Sequence, residues 1–197
     1  VTISDVFTSG TEISRAIYNT RYSDIAMVPC DKRADDLIDS FANGECGTQE
    51  DVVQRISSSK EYLNGNYDII LVDFPPQFST VTKLFMMLLC DKMLVVSTLD
   101  VQSIEGIQSI NEFLYETGIE SIGVVINLFE GTTTEEKTIA ALENVGIKIF
   151  PTKVHRQNGI RTAYRNGKCL TEMYSTFVTA PKRKEFKTLA NEIASMV

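Results

Sequence analysis

Asn66-Tyr67-Asp68-Ile69-Ile70-Leu71-Val72-Asp73-Phe74-Pro75-Pro76-Gln77 is an apolar run that ends on a carboxylate and two prolines. Four consecutive aliphatic side chains bounded by turn residues predict a strand buried on both faces. In an open parallel sheet such a strand delivers its last residue to the carboxyl edge, where ligands bind. An acidic residue there suits the organisation of Mg²⁺ and its waters around a nucleotide. The companion of such a carboxylate is a glycine-rich loop that cradles phosphates and carries a lysine. Neither Gly-x-x-x-x-Gly-Lys-[Ser/Thr] nor a Lys-Gly-Gly loop occurs in these 197 residues.

From Asp68 onward, short β-rich runs alternate with longer helical ones, which predicts an α/β fold with a mostly parallel sheet flanked by helices. The strand candidates are Ile69–Val72, Lys92–Ser97, Gly123–Leu128 and Ile147–Phe150, with Ile25–Val28, closed by Pro29, as one more. Val101, Ile104, Ile107, Ile110 and Leu114 recur at near-helical spacing, as do Thr138, Ala141, Leu142 and Val145, and both sets read as core-facing stripes. Near the end, Thr179 is placed to cap a helix with Pro181 in its first turn and Phe186, Leu189, Ile193 and Val197 on its buried face. The residues that follow the runs should converge on one edge: Pro29 and Cys30, Asp73 to Gln77, Thr98 to Gln102, Asn127 to Glu130, and Pro151 to Arg156.

Composition narrows the class. At 43% hydrophobic and 23% charged, residues 1–197 suit a single domain with one substantial core. Cys30, Cys46, Cys90 and Cys169 form no Cys-x-x-Cys pair, which signals neither a zinc site nor a disulfide framework and points to a reducing, cytoplasmic compartment. No apolar run reaches the roughly 18 residues of a membrane span. The formal charge is −7, but residues 151–197 carry nine Lys/Arg against three Glu, so a +6 segment sits on a −13 body. Such asymmetry suits either an anionic partner for one face or an ordinary solvated surface.

The motifs, taken in order, resemble the ParA/Soj family of chromosome and plasmid partition ATPases, within the deviant-Walker group that includes MinD. Asp5-Val6-Phe7, Ile13, Ala16-Ile17 and Ile25-Ala26-Met27-Val28-Pro29 resemble the segment after the family's second strand. Tyr67 to Pro76 resembles its "YDxIhhDxPP" signature, and Ser103-Ile104-Glu105-Gly106-Ile107 its "SIEGI" element. His155-Arg156 through Ala163 to Gly167-Lys168 resembles its "PR…A…GK" block. The resemblance spans essentially the whole chain and implies a P-loop NTPase-like fold. It also implies that about 40 to 50 family residues, the amino-terminal strand, phosphate loop, helix and second strand, precede the matched part.

The resemblance assigns roles. Asp73 would hold Mg²⁺, through a water; read from the residues alone, it either does so or caps the next turn. Pro75 and Pro76 would stiffen a switch segment ordered by the γ-phosphate. Asn127 matches the position that meets the adenine of ATP or ADP, although an Asn after a strand also suits a turn. Pro151 to His155 would form the other wall of that pocket. His155 stands where the family has proline, so its imidazole either borders the base or sits at the surface. Arg156, Arg161, Arg165, Lys168, Lys182, Arg183, Lys184 and Lys187 lie in the region that contacts nonspecific DNA in relatives.

The leading expectation is a partition ATPase whose ATP-dependent homodimer binds nonspecific DNA on the nucleoid and is stimulated by a ParB-like centromere-binding partner. The alternative is a non-hydrolysing interaction module with a degenerate nucleotide site. Residues upstream of Val1 discriminate the two, because a Lys-Gly-Gly-x-Gly-Lys-[Ser/Thr] loop there establishes the first. A MinD-like membrane ATPase needs an amphipathic tail beyond the last helix, whose apolar residues are already required for packing. An iron-sulfur reductase needs cysteines after the relevant strands, which this pattern lacks.

Overall fold

The computed structural model describes residues 1–33, 40–41, 43–76, 78–169 and 180–197. The expected Thr179 cap and Gln77 lie outside them. The chain parts into two compact units, Val1–Cys90 and Asp91–Val197.

In the first unit, helix α1 (Ile3–Ser9) starts where the Asp5 carboxylate accepts from the Thr2 amide at 2.8 Å. Helix α2 (Gln49–Asn64) starts with a reciprocal Thr48–Asp51 capping box. Val52 and Ile56 lie one turn apart on α2 and pack with Val6, Phe7, Ile13 and Ala16. Helix α3 (Thr80–Leu89) sets Phe85 edge-on to Phe7, with ring centroids 5.0 Å apart. Arg55 pins this core from the side, donating to the carbonyls of Phe7 and Cys46 at 2.8 Å. Asp31 accepts from Thr2 Oγ1 at 3.0 Å and Ser4 Oγ at 3.1 Å, and pairs with Arg33 at 2.6 Å. The Arg33 guanidinium holds the Asp31 carboxyl far below the usual carboxylate range.

Two strand expectations need correction in this unit. Ile25–Val28 is no member of a parallel sheet: β2 (Ala26–Met27) pairs antiparallel with β1 (Tyr18–Asn19). Ile69–Val72 lies outside any ladder, and Leu71 is 88% exposed. A strand hides its faces and satisfies its amides only when neighbours flank it, and among the described residues none pairs with this run.

The second unit holds a parallel three-stranded sheet of β3 (Lys92–Ser97), β4 (Glu120–Phe129) and β5 (Val154–His155), in the order β3-β4-β5. The expected strand Ile147–Phe150 reduces to a single parallel bridge, Val124 to Ile149. It lies tightly on β4, with Val124 N–H donating to Lys148 O at 2.8 Å and Phe150 N–H to Val124 O at 2.9 Å. Gly123, at φ +129°, permits this approach: a Cβ there would sit 3.0 Å from Lys148 O and 3.1 Å from the Phe150 ring.

Crossover helices α4 (Val101–Thr117) and α5 (Thr133–Asn144) begin at Asp100 and Thr132, whose side chains accept from the N3 amides. Their buried faces are narrower than the spacing suggests. On α4, Ile107, Phe113 and Leu114 are buried while Val101 is 73% exposed in the first turn. On α5, Ile139 and Leu142, an i, i+3 pair, are buried and Ala141 is exposed, as is Val145 just beyond its end. Helix α6 (Asn158–Arg165) ends on Gly167 at φ 57°, where Lys168 N–H donates to Ala163 O at 3.0 Å and Gly167 N–H to Tyr164 O at 3.0 Å. That double closure gives the Gly-Lys pair of the sequence pattern a structural reason. Helix α7 (Ala180–Ala194) packs Phe186, Leu189 and Ile193 on Ile122, Val125, Phe150 and Val154. Met196 rather than Val197 completes that face, and Val197 is exposed.

Candidate functional site

Sheet register brings one group of predicted residues together. Asn127 lies opposite Val154 and Phe129 opposite His155 in the parallel β4–β5 ladder, and Arg156 N–H extends it to Phe129 O at 3.2 Å. Between the two pairs the register shifts, so β4 carries a bulge at its carboxyl end. The bulged residue, Leu128, has φ 55°, the one non-glycine in the left-handed region among the described residues. Such a conformation costs about 1 kcal/mol in a residue with a Cβ. Asn127 offsets part of it, because its Oδ1 accepts from Leu128 N–H at 2.9 Å. The Asn127 amide nitrogen remains as a donor at the edge.

His155 is half exposed. Its ring meets Phe129 edge-on, with centroids 5.2 Å apart, and its Nδ1 is 3.1 Å from Glu185 Oε1 of α7, while its backbone N–H donates to Glu185 Oε2 at 3.4 Å. Three residues earlier, Thr152 Oγ1 donates to Glu192 Oε1 at 2.6 Å. Glu185 and Glu192 stand two helical turns apart on one face of α7, so both acids grip the Thr152–His155 segment from the same side. Pro151 is exposed at its start. Sequence reading missed both glutamates; their spacing of seven was the available signal.

The carboxyl end of β3 adds a second acid that motif reading passed over. Asp100 accepts from Ser103 N–H at 3.0 Å and from the Thr98 and Ser103 hydroxyls. The Thr98 hydroxyl is the main cause that lowers its pKa to about 2 from 3.8. Asp73 belongs to the first unit, exposed at the end of the Ile69–Val72 run and close before the exposed Pro75 and Pro76.

The basic residues divide by environment. Arg156 is exposed but pairs with Glu130 at 2.8 Å. Arg165 and Lys168 lie exposed at the end of α6, and Lys184 and Lys187 are exposed on α7, with Arg183 half-buried just before them. Arg161 and Lys182 fall within α6 and α7, and their side chains lie outside the description.

A family model described as AAA domain matches residues 1–121. The chain belongs to that family. Within it, the chain is ParA/MinD-like. It is 23% identical over 207 residues to the virulence plasmid ParA family protein pGP5-D of Chlamydia muridarum, a match covering 99% of this chain and 72% of the relative. Its fold is similar to that of the septum site-determining protein MinD complexed with Mg-ADP from Pyrococcus horikoshii, at 17% identity and a TM-score of 0.72, over 98% of this chain and 73% of that one. A putative plasmid partition protein from Borrelia burgdorferi bound to AMPPNP gives a TM-score of 0.75 at 14% identity, over 100% of this chain and 74% of that one. The ParA/MinD-like chain thus has the α/β, P-loop NTPase-like fold of its neighbours. None of its described helices is long and apolar enough to cross a membrane.

Proposed function

We propose that this ParA/MinD-like chain is the nucleotide-hydrolysing component of a DNA partition system, in which ATP-bound homodimers hold nonspecific DNA and a ParB-like partner at a centromere site triggers hydrolysis and release. The observation that carries the reading is the β4–β5 edge, where Asn127 and His155 stand within one step of register beside a strained bulge, in a chain whose relatives include a virulence plasmid ParA family protein. Strain of that kind concentrates at ligand sites. In this reading Asn127, Pro151 and His155 form the adenine pocket and Asp73 serves Mg²⁺.

The residues fit a Mg-nucleotide. Asp73 is a single exposed carboxylate, and among the described residues no group of three His, Cys, Asp or Glu side chains could hold a metal alone. One carboxylate with waters and phosphate oxygens is the set Mg²⁺ prefers. Bound Mg²⁺ supplies charge neutralisation on the phosphates, and Asp73 orients its waters. A nucleotide enclosed between two subunits favours the dimer by linkage, so DNA avidity would follow nucleotide state.

Catalysis of phosphoryl transfer is mostly positioning and charge stabilisation, and these 197 residues hold no phosphate loop. The 197-residue polypeptide should therefore show no ATP turnover above a matched blank; turnover abolished by Asp73→Ala overturns this. In a chain carrying a phosphate loop ahead of Val1, Asp73→Ala should lower hydrolysis by roughly 100-fold and suppress ATP-dependent dimerisation. Undiminished turnover in that variant removes the Mg²⁺ assignment. A loop-bearing parent that binds ATP without hydrolysing it identifies the interaction-module alternative instead.

A further inference from the structure

A cavity of about 440 Å³ opens in the first unit between the carboxyl end of α1, the chain that follows it and one face of α2. Gly10, Glu12, Ser14, Asp51, Arg55 and Ser58 are among the residues that line it. None of them is assigned above to nucleotide, Mg²⁺ or DNA. Asp51, Arg55 and Ser58 recur at i, i+4 and i+7 of α2, so one helix face presents them together.

Arg55 decides what this cavity can take. It is held by Nη1 alone, which donates to Phe7 O and Cys46 O at 2.8 Å and to Thr8 O at 3.3 Å. Two of those carbonyls belong to the last turn of α1, so Nη1 caps that helix end. Among the described residues, nothing accepts from Nε or Nη2. Those two nitrogens form the planar fork that takes a carboxylate through two parallel hydrogen bonds. The fork runs beside Gly10, where a Cβ would stand 3.3 Å from Nε and 3.8 Å from Nη2, and the missing side chain leaves that edge uncovered. A guanidinium already fixed by three carbonyls loses little further freedom when it takes a ligand.

The other charges in the cavity are carboxylates. Asp51 is exposed; its Oδ2 accepts from the Thr48 amide and hydroxyl, and its Oδ1 has no donor among the described residues. Glu12 is exposed too, and only its Oε2 accepts, from Ser14 Oγ at 3.4 Å. One guanidinium against two carboxylates leaves the lining with a net negative charge. That balance repels a phosphate or a dicarboxylate and suits a ligand that carries one carboxylate and two ammonium groups.

We propose that this cavity binds a cationic amino acid, its carboxylate on Nε and Nη2 of Arg55 and its ammonium groups on the carboxylates of Glu12 and Asp51.

The probe is L-lysine, titrated into the 197-residue protein and followed by backbone amide chemical shifts. Cadaverine, which is lysine without its carboxylate, and 6-aminohexanoate, which lacks the α-ammonium, are the controls. Lysine should move the amides of residues 10–14 and those around Arg55, and bind at least about 10-fold more tightly than either control, the worth of one charge-assisted contact. Either control binding as well as lysine overturns the proposal, as does lysine that leaves these amides unmoved. Arg55→Lys keeps the charge and a donor for the α1 carbonyls but loses the fork, so it should lose the preference for lysine over cadaverine. A preference retained in that variant overturns the role of Arg55. Ser58→Trp, at an exposed position of α2, fills the cavity and should abolish lysine binding whether or not Arg55→Lys folds. Unchanged lysine affinity in Ser58→Trp places the ligand elsewhere and overturns the site.

Discussion

Asp100 illustrates how a polar residue can look ordinary in sequence and be tightly specified in place. Its carboxylate accepts from the Thr98 hydroxyl, the Ser103 amide and the Ser103 hydroxyl at once. These donors favour the ionised form and hold the folded pKa at about 2 against an ordinary 3.8. A folded pKa below the unfolded one contributes stability that is present above pH 3.8 and lost as pH falls from there toward 2. Thr98→Val removes the largest cause, so the Asp100 carboxyl should titrate closer to 3.8, as read from its carbon chemical shift across a pH series. A midpoint still near 2 in that variant would assign the shift to the helix amides rather than to Thr98. The same residue-scale logic governs Asn127, whose oxygen accepts from the Leu128 amide and so supports the bulge.

Among the elements, β4 does most to position the site, and it depends on one residue without a side chain. Gly123 combines φ +129° with a backbone carbonyl 3.0 Å from where its Cβ would be. Gly123→Ala therefore meets both conformational strain and a contact that only backbone movement relieves. The expected cost is at least about 2 kcal/mol, seen as a lower denaturant midpoint at unchanged slope. A variant as stable as wild type would show that the Val124–Ile149 bridge is not held at this spacing in solution. Helix α7 fixes the other wall by two means at once. Phe186, Leu189 and Ile193 bury its apolar face, and Glu185 and Glu192 grip residues 152–155.

On the scale of the whole molecule, charge decides whether DNA is a plausible partner. A net charge of −7 repels DNA at long range, and only the +6 segment of residues 151–197 can overcome it locally. Arg156 is partly compensated by Glu130, whereas Arg165, Lys184 and Lys187 stand exposed. We expect the ATP-bound dimer to bind duplex DNA with little sequence preference and a steep salt dependence. Charge reversal of Arg156, Arg161 and Arg165 is compared with reversal of Lys182, Arg183 and Lys184, with dimerisation as the folding control. The set that carries DNA should lose affinity and salt slope together. If neither set changes either quantity while dimers form normally, the basic region is a solvated surface.

The chain's own residues, read in order, determined what depends on neighbours in sequence. Strand β3 appears at Lys92–Ser97 as its apolar run predicts, the β4 run is contained within Glu120–Phe129, and α4 and α5 start at Asp100 and Thr132, where local side chains can satisfy the free amides. Asn127 and His155 were legible as edge residues for the same reason. Tertiary structure alone decided the rest, because it depends on pairs far apart in sequence. Whether Ile69–Val72 joins a ladder is set by a strand that must lie beside it, and an unbroken apolar run cannot name that strand. The φ of Leu128 follows from the mismatch between two strands about 25 residues apart, and the grip of Glu185 and Glu192 follows from where α7 docks.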